Sequence, residues 1–247
     1  MEPNSPSPYQ SYEIDPRWTA VDQYVLQHLH PARTPYASAL QYALDHSKTN
    51  GLPDIAVSPL QGKFNALQCR LLGVRHALEI GTLGGYISIW LAILNADLRI
   101  TSLEIDAKHA KVAREAIKHA GLSDRIEVLL GPALETLPKL QEEITLGKRE
   151  KFGFVFIDAD KDNNLPYYQQ AVPMCVSRAC IIVDNVVRKG NVAKAELAET
   201  DSRVEGARRV IEGMGRDERV DACLMQTVGE KNYDGFLISI SFRCSAL

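Results

Sequence analysis

Two stretches end in residues able to do chemistry. Phe152–Lys161 reads FGFVFIDADK. Its alternating aromatic and β-branched run, Phe154-Val155-Phe156-Ile157, has the character of a buried parallel strand. It breaks into Asp158-Ala159-Asp160-Lys161, two carboxylates and an ammonium. Ala179–Asn185 reads ACIIVDN and ends the same way, in Asp184-Asn185. Ligands of open α/β sheets bind beyond the carboxyl ends of the strands. Neighbouring strands lie about 4.8 Å apart. Adjacent placement of these two would gather Asp158, Asp184 and Asn185 around one point. Asp160 serves equally as a cap for the helix that follows.

A third stretch, Ala77–Tyr86, reads ALEIGTLGGY. Its glycines let the backbone turn sharply and let a ligand approach the main chain. This is the position of a dinucleotide fingerprint. Glu104 ends the next strand about 20 residues beyond the turn, as a ribose-binding carboxylate does. The spacing Gly81-x-x-Gly84-Gly85 departs from GxGxxG, and the acidic Glu79 stands just before it. A carboxylate there suits a cation better than a pyrophosphate. Of the two nucleoside ligands in question, that favours S-adenosylmethionine, with its sulfonium and ammonium, over a nicotinamide dinucleotide.

The elements that must position these residues alternate. Strands are expected at Ala77–Ile80, Arg99–Glu104, Ile126–Leu130, Phe154–Ile157 and Ala179–Val183, with helices between them at Tyr86–Leu94, Asp106–Ala120, Leu134–Leu140 and Leu165–Met174. Gln141–Lys151 reads as a charged loop. A polar segment, Arg188–Ser202, leads to a helix near Arg203–Met214. Two late strands, Val220–Val228 and Gly235–Phe242, suit an antiparallel hairpin at the sheet edge. The expected fold is α/β: a doubly wound, mostly parallel seven-stranded sheet. Three helices precede the first strand as an N-terminal cover. They start at Pro16 (apolar face Val21, Val25, Leu26, Leu29, broken by Pro31), at Pro35–His46, and at Pro59–Leu72 (Leu60, Phe64, Leu67, Leu71). Residues 1–16 read as a Ser- and Pro-rich flexible tail, and 17–247 as one domain.

Composition narrows the class. The formal net charge of −3 gives no basic field for nucleic acid or anionic lipid. No apolar run is long enough for a membrane span, and the first ten residues resemble no targeting segment, so a cytoplasmic protein is expected. The five cysteines, Cys69, Cys175, Cys180, Cys223 and Cys244, are scattered without a CxxC, so a zinc knuckle or disulfide framework is not expected.

LEIGTLGGY, LEIDAKHAKVAREAIKHAGLSDRIEVLLGPALETL, FVFIDADKDN and IIVDN, in this order, resemble the cation-dependent class I O-methyltransferases. That group includes the caffeoyl-CoA and catechol O-methyltransferases. The resemblance implies that Val57, Glu79, Gly81, Thr82, Ser88, Glu104, Ala133, Asp158 and Asp160 contact S-adenosylmethionine. It implies Asp158, Asp184 and Asn185 as metal ligands, Lys161 as the catalytic base beside Asp158, and a homodimer. Such an all-oxygen ligand set suits Mg²⁺, with Mn²⁺ or Ca²⁺ as alternatives. A catechol offers it two adjacent oxygens, so the expected acceptor is a small catechol-bearing aromatic, whether phenolic, flavonoid-like or a catecholic acid. An ordinary lysine, with a pKa of about 10.4, is a weak base at neutral pH, and a neighbouring dication favours its neutral form. The structural alternative for Lys161 is a simple pair with Asp158 or Asp160. Val187-Arg188 follows the Asp-Asn pair where the plant enzymes have Leu-Trp, which argues against a coenzyme A ester. A nicotinamide-dependent oxidoreductase and a non-catalytic binding protein on this fold are the alternatives.

Overall fold

A computed structural model describes residues 15–30 and 34–242. The expectations for the tail before residue 15, for Pro31 and for Cys244 lie outside the described residues. Three helices come first: α1 (Pro16–Leu29), α2 (Ala37–Thr49) and α3 (Pro59–Leu71). Strands and helices then alternate as β1 (His76–Ile80), α4 (Tyr86–Leu94), β2 (Arg99–Glu104), α5 (Ala107–His119), β3 (Ile126–Leu130), α6 (Ala133–Thr145) and β4 (Phe152–Ile157). A 3-10 turn, Lys161–Asn163, opens α7 (Asn164–Ala171), which leads to β5 (Cys175–Asp184). A 3-10 segment, Arg188–Ala193, and the short α8 (Ala195–Ala198) precede α9 (Ser202–Gly215). β6 (Val220–Val228) and β7 (Tyr233–Ser241) end the order.

The seven strands form one sheet in the order β3-β2-β1-β4-β5-β7-β6. β1 to β5 are parallel, and β7 runs antiparallel to β5 and β6. The chain winds outward from β1 through β2 and β3, then restarts at β4 on the other side. That reversal opens a crevice above the carboxyl ends of β1 and β4, where doubly wound sheets bind ligands. The two-residue period of β4 sorts its side chains to opposite faces. Phe154 and Phe156 enter the core with Trp90 and Ile182, while Val155 and Ile157 join Leu78, Tyr168 and Met174. Both faces are therefore dry, and the strand ends are fixed rigidly.

Three expectations are corrected. α6 runs on to Thr145 through Pro138, because Leu137 and Leu140 are buried and Ile144 packs beside them on the same stripe. α3 does not bury Leu67 and Leu71, which are 42% and 78% exposed. Its inner face is Gly62, Ala66 and Cys69, small residues that let it lie against α4. A Cβ on Gly62 would stand 2.5 Å from Cδ1 of Trp90. Leu60 and Phe64 are thereby turned toward the crevice. α1 leaves Val21 and Leu29 about 60% exposed and buries Asp22 instead. The Asp22 carboxylate accepts the N–H of Glu230 at 2.8 Å, which ties α1 to the β6–β7 connection. As a cover, α2 and α3 pack on α4 and α5 rather than on the sheet. No helix among the described residues is long and apolar enough to cross a membrane.

Candidate active site

β4 and β5 are neighbours, with Ile157 opposite Val183. The next residues, Asp158 and Asp184, therefore stand side by side at the sheet edge, followed by Asn185. Lys161 lies on the 3-10 turn rather than on α7. Its Nζ donates to Asp158 Oδ1 at 2.6 Å. α9 braces this turn, since a Cβ on Gly206 would come 2.1 Å from the Lys161 carbonyl oxygen. Asp184 is buried; its Oδ2 accepts from Gln61 Nε2 at 2.7 Å and its Oδ1 from the Asn185 N–H at 2.8 Å. Burial, and then the Asp158 carboxylate, push the Asp184 carboxyl up, while Lys161 and the two hydrogen bonds pull it down. Two crowded carboxylates with one ammonium between them are a site short of positive charge, and an added dication fits that shortage. Among the described residues, no three or more His, Cys, Asp or Glu side chains gather as a metal centre. The oxygen-bearing set at these two strand ends is two carboxylates and a carboxamide, all lining one cavity.

The glycine turn is locked to the same point. Gly81 has φ 101°, and a Cβ there would stand 2.3 Å from the Asp158 carbonyl oxygen. Only glycine allows β1 to leave the sheet so close to the end of β4. Glu104 Oε2 accepts the Leu83 N–H at 2.8 Å, and its Oε1 accepts the Asp106 N–H at 2.9 Å. The carboxylate thus holds the turn against the end of β2. Thr82 and Ser102 share a hydroxyl hydrogen bond of 2.6 Å beneath it. Glu79 is buried and accepts from Ser102 Oγ at 2.6 Å and from Ser88 Oγ. Burial pushes its carboxyl up to about 8, against these two hydrogen bonds.

A cavity of about 1430 Å³ joins these features. Val57, Glu79, Gly81, Thr82 and Glu104 line it, as do Ala133, Asp158, Asp160, Lys161, Asp184 and Asn185. Ser88 is the correction: it is fully buried behind Glu79 and its hydroxyl is taken by that carboxylate. Its position is one step removed from the cavity wall. Asp160 is exposed and accepts from Tyr167 Oη at 2.5 Å and from Asn163 Nδ2. These bonds go to side chains and not to a backbone N–H, so the expected side-chain cap is not made, and Asp160 stands on the wall braced against α7.

Two residues of the site carry no mark at any strand end. Gln61 reaches Asp184 from α3, 123 positions earlier in the chain. Asp234 Oδ1 accepts the N–H groups of Val187, Arg188 and Gly235 at 3.1, 2.9 and 3.0 Å, and so fixes the chain that leaves Asn185. Asp234 stands at the start of β7, in the stretch Asp234-Gly235-Phe236.

The state of Glu79 has a measurable consequence. Its folded value of about 8 lies above the ordinary 4.5, so the native state keeps a proton that the unfolded chain has released. Its contribution is full below about pH 4.5 and is lost as pH rises through about 8. Glu79→Gln mimics the protonated acid. The variant should gain on the wild type by roughly 2–4 kcal/mol between pH 5 and pH 8.5 in urea titrations of the ligand-free protein. A difference that does not change with pH would mean Glu79 is ionised in the folded chain.

The family model described as O-methyltransferase matches residues 36–236. The O-methyltransferase imqG of Aspergillus flavus is 52% identical over 231 residues, 94% of each chain. The catechol O-methyltransferase of Mycobacterium tuberculosis is 45% identical over 204 residues, covering 82% of this chain and 88% of that one. The crystal structure of the O-methyltransferase from Bacillus cereus in complex with SAH superposes with a TM-score of 0.84 at 44% identity, over 92% of this chain and 99% of that one.

Proposed function

Because the chain belongs to the O-methyltransferase family and uses S-adenosylmethionine as methyl donor, we propose that it methylates one hydroxyl of a small catechol in a divalent-metal-dependent reaction. The observation that carries this is that Asp158 and Asp184, on neighbouring strand ends, line one cavity with Asn185, Lys161, Glu79 and Glu104. The 45% identical catechol O-methyltransferase supports the acceptor class.

Each residue has a task in this reading. Glu104, already fixed by two backbone N–H groups, offers its remaining lone pairs to the ribose hydroxyls. Glu79 and Thr82 lie under the methionine end, and Val57, Ala133 and Asp160 complete that wall. Asp158, Asp184 and Asn185 hold the cation, Mg²⁺ by default, with Gln61 orienting Asp184. When bound, the cation would act as a Lewis acid that lowers the pKa of a phenolic acceptor. Lys161 Nζ, as the neutral amine, would take the phenolic proton and become the ammonium that pairs with Asp158. S-adenosylmethionine, when bound, would supply its methyl group to the phenolate oxygen and keep the carbon–sulfur electron pair on sulfur. Most of the rate gain comes from holding oxygen, carbon and sulfur in line.

The test is acceptor choice. With Mg²⁺ and S-adenosylmethionine, catechol should be converted to its mono-methyl ether at least about 10²-fold faster than phenol, since phenol offers one oxygen and only part of the orientation. Equal rates on the two would refute two-oxygen recognition of the acceptor.

A further inference from the structure

Beyond Asn185 the backbone is unusual. Arg188, Lys189 and Gly190 have φ values of 52°, 58° and 80° in succession. Non-glycine residues persist in the left-handed region where the surroundings hold them, and they concentrate at ligand sites. Here the hold comes from Asp234, whose Oδ1 takes three backbone N–H groups. Gly235 tightens it: a Cβ there would stand 2.2 Å from the Met225 carbonyl oxygen and 2.6 Å from Val187 Cγ2. The hairpin of β6 and β7 thus clamps the segment that carries Arg188.

The clamp hydrogen-bonds Asp234 Oδ1 to the main chain, while its Oδ2 pairs with the guanidinium by charge alone. Arg188 Nη1 lies 3.9 Å from Asp234 Oδ2, beyond hydrogen-bond reach. Arg188 Nε is buried with no hydrogen-bond partner among the described residues. The side chain is 20% exposed and lines the cavity three positions after Asn185. Two carboxylates on the same wall are engaged elsewhere: Asp22 with the Glu230 N–H, and Asp201 with Arg203. Nε is closed off from the cavity, and the exposed part of the guanidinium on the wall is what a ligand would meet. The planar fork of arginine matches a carboxylate with two parallel hydrogen bonds.

Resting on the catechol reading above, we propose that Arg188 selects acceptors whose catechol ring carries a carboxylate, pairing with it while the diol sits at Asp158, Asp184 and Asn185. The preferred substrates are then catecholic acids, not neutral catechols. Arg188 decides which catechol is taken and has no part in the bond changes.

The test compares 3,4-dihydroxybenzoate with 3,4-dihydroxybenzamide, which has the same shape and no charge, on the full Mg²⁺-loaded protein. The wild type should show a kcat/KM ratio of acid to amide of about 10–100. Arg188→Gln should bring that ratio close to 1, and Arg188→Lys should restore part of it. A wild type without preference for the acid overturns the proposal, and transfer to unsubstituted catechol would then leave the catechol reading standing. A fall shared equally by acid and amide in Arg188→Gln also overturns it, since Arg188 would then be shaping the loop. Failure on every catechol, catechol itself included, would overturn the underlying reading and this proposal with it.

Discussion

Asp184→Ala should lower methyl transfer to catechol by on the order of 10³-fold, because a Lewis acid at a reacting oxygen contributes several kcal/mol. The reason lies in the geometry of one oxygen pair. Asp184 is held by Gln61 on one oxygen and by the Asn185 N–H on the other, beside Asp158. A buried carboxylate next to another carboxylate does not stabilise the fold, since burial and the neighbouring charge both raise its free energy. A dication beside it would offset that charge. The variant should therefore fold at least as well as the wild type without metal. Mg²⁺ should raise the wild-type melting temperature by mass action and leave that of the variant unchanged. A chelator should silence the wild type, and Mg²⁺ or Mn²⁺ should restore it. Full activity in chelator, with the metal content measured, would sink metal dependence. An Mg²⁺-induced stabilisation of the variant equal to that of the wild type would remove Asp184 from the site.

The parts of this site that could be read along the chain are those built by short-range pattern. β2 and β3 have the expected bounds, Arg99–Glu104 and Ile126–Leu130, because alternation and flanking turn residues define them locally. The end of β4 was legible for the same reason, and with it Asp158 and Asp184, since strand adjacency follows from the winding rule. What failed was whatever depended on how one element approaches another. α3 has a leucine stripe, yet its small-residue face is the one that packs, because Gly62 admits the Trp90 ring. α1 has an apolar stripe, yet Asp22 turns inward to reach Glu230, 208 positions later. Ser88 was expected on the cavity wall and stands behind Glu79, because α4 turns its first buried face toward β1 and β2. Gln61 and Asp234 orient the strand ends from remote segments, and no local period announces such contacts.

Lys161→Ala should reduce kcat on catechol by about 10²–10⁴, the usual range for a lost general base. Nζ sits 2.6 Å from Asp158 Oδ1, so two roles are open to the lysine: to accept the phenolic proton, or to hold Asp158 in place. Substitutions separate them. Lys161→Arg keeps a cation beside Asp158, but a guanidinium does not give up its proton in a protein. If proton transfer is the role, arginine should be nearly as slow as alanine. If anchoring Asp158 is the role, arginine should recover most of the rate. The alanine variant should also regain rate as pH rises, because hydroxide then removes the proton that Nζ would have taken. Affinity for S-adenosylmethionine, measured by calorimetry, should change little in both variants, since the lysine reaches toward Asp158 and not toward Glu104. A pH–rate series on wild type, Lys161→Ala and Lys161→Arg therefore decides the matter. An arginine variant with wild-type kcat would leave Lys161 as the partner that positions Asp158, and the proton would have to leave by another group.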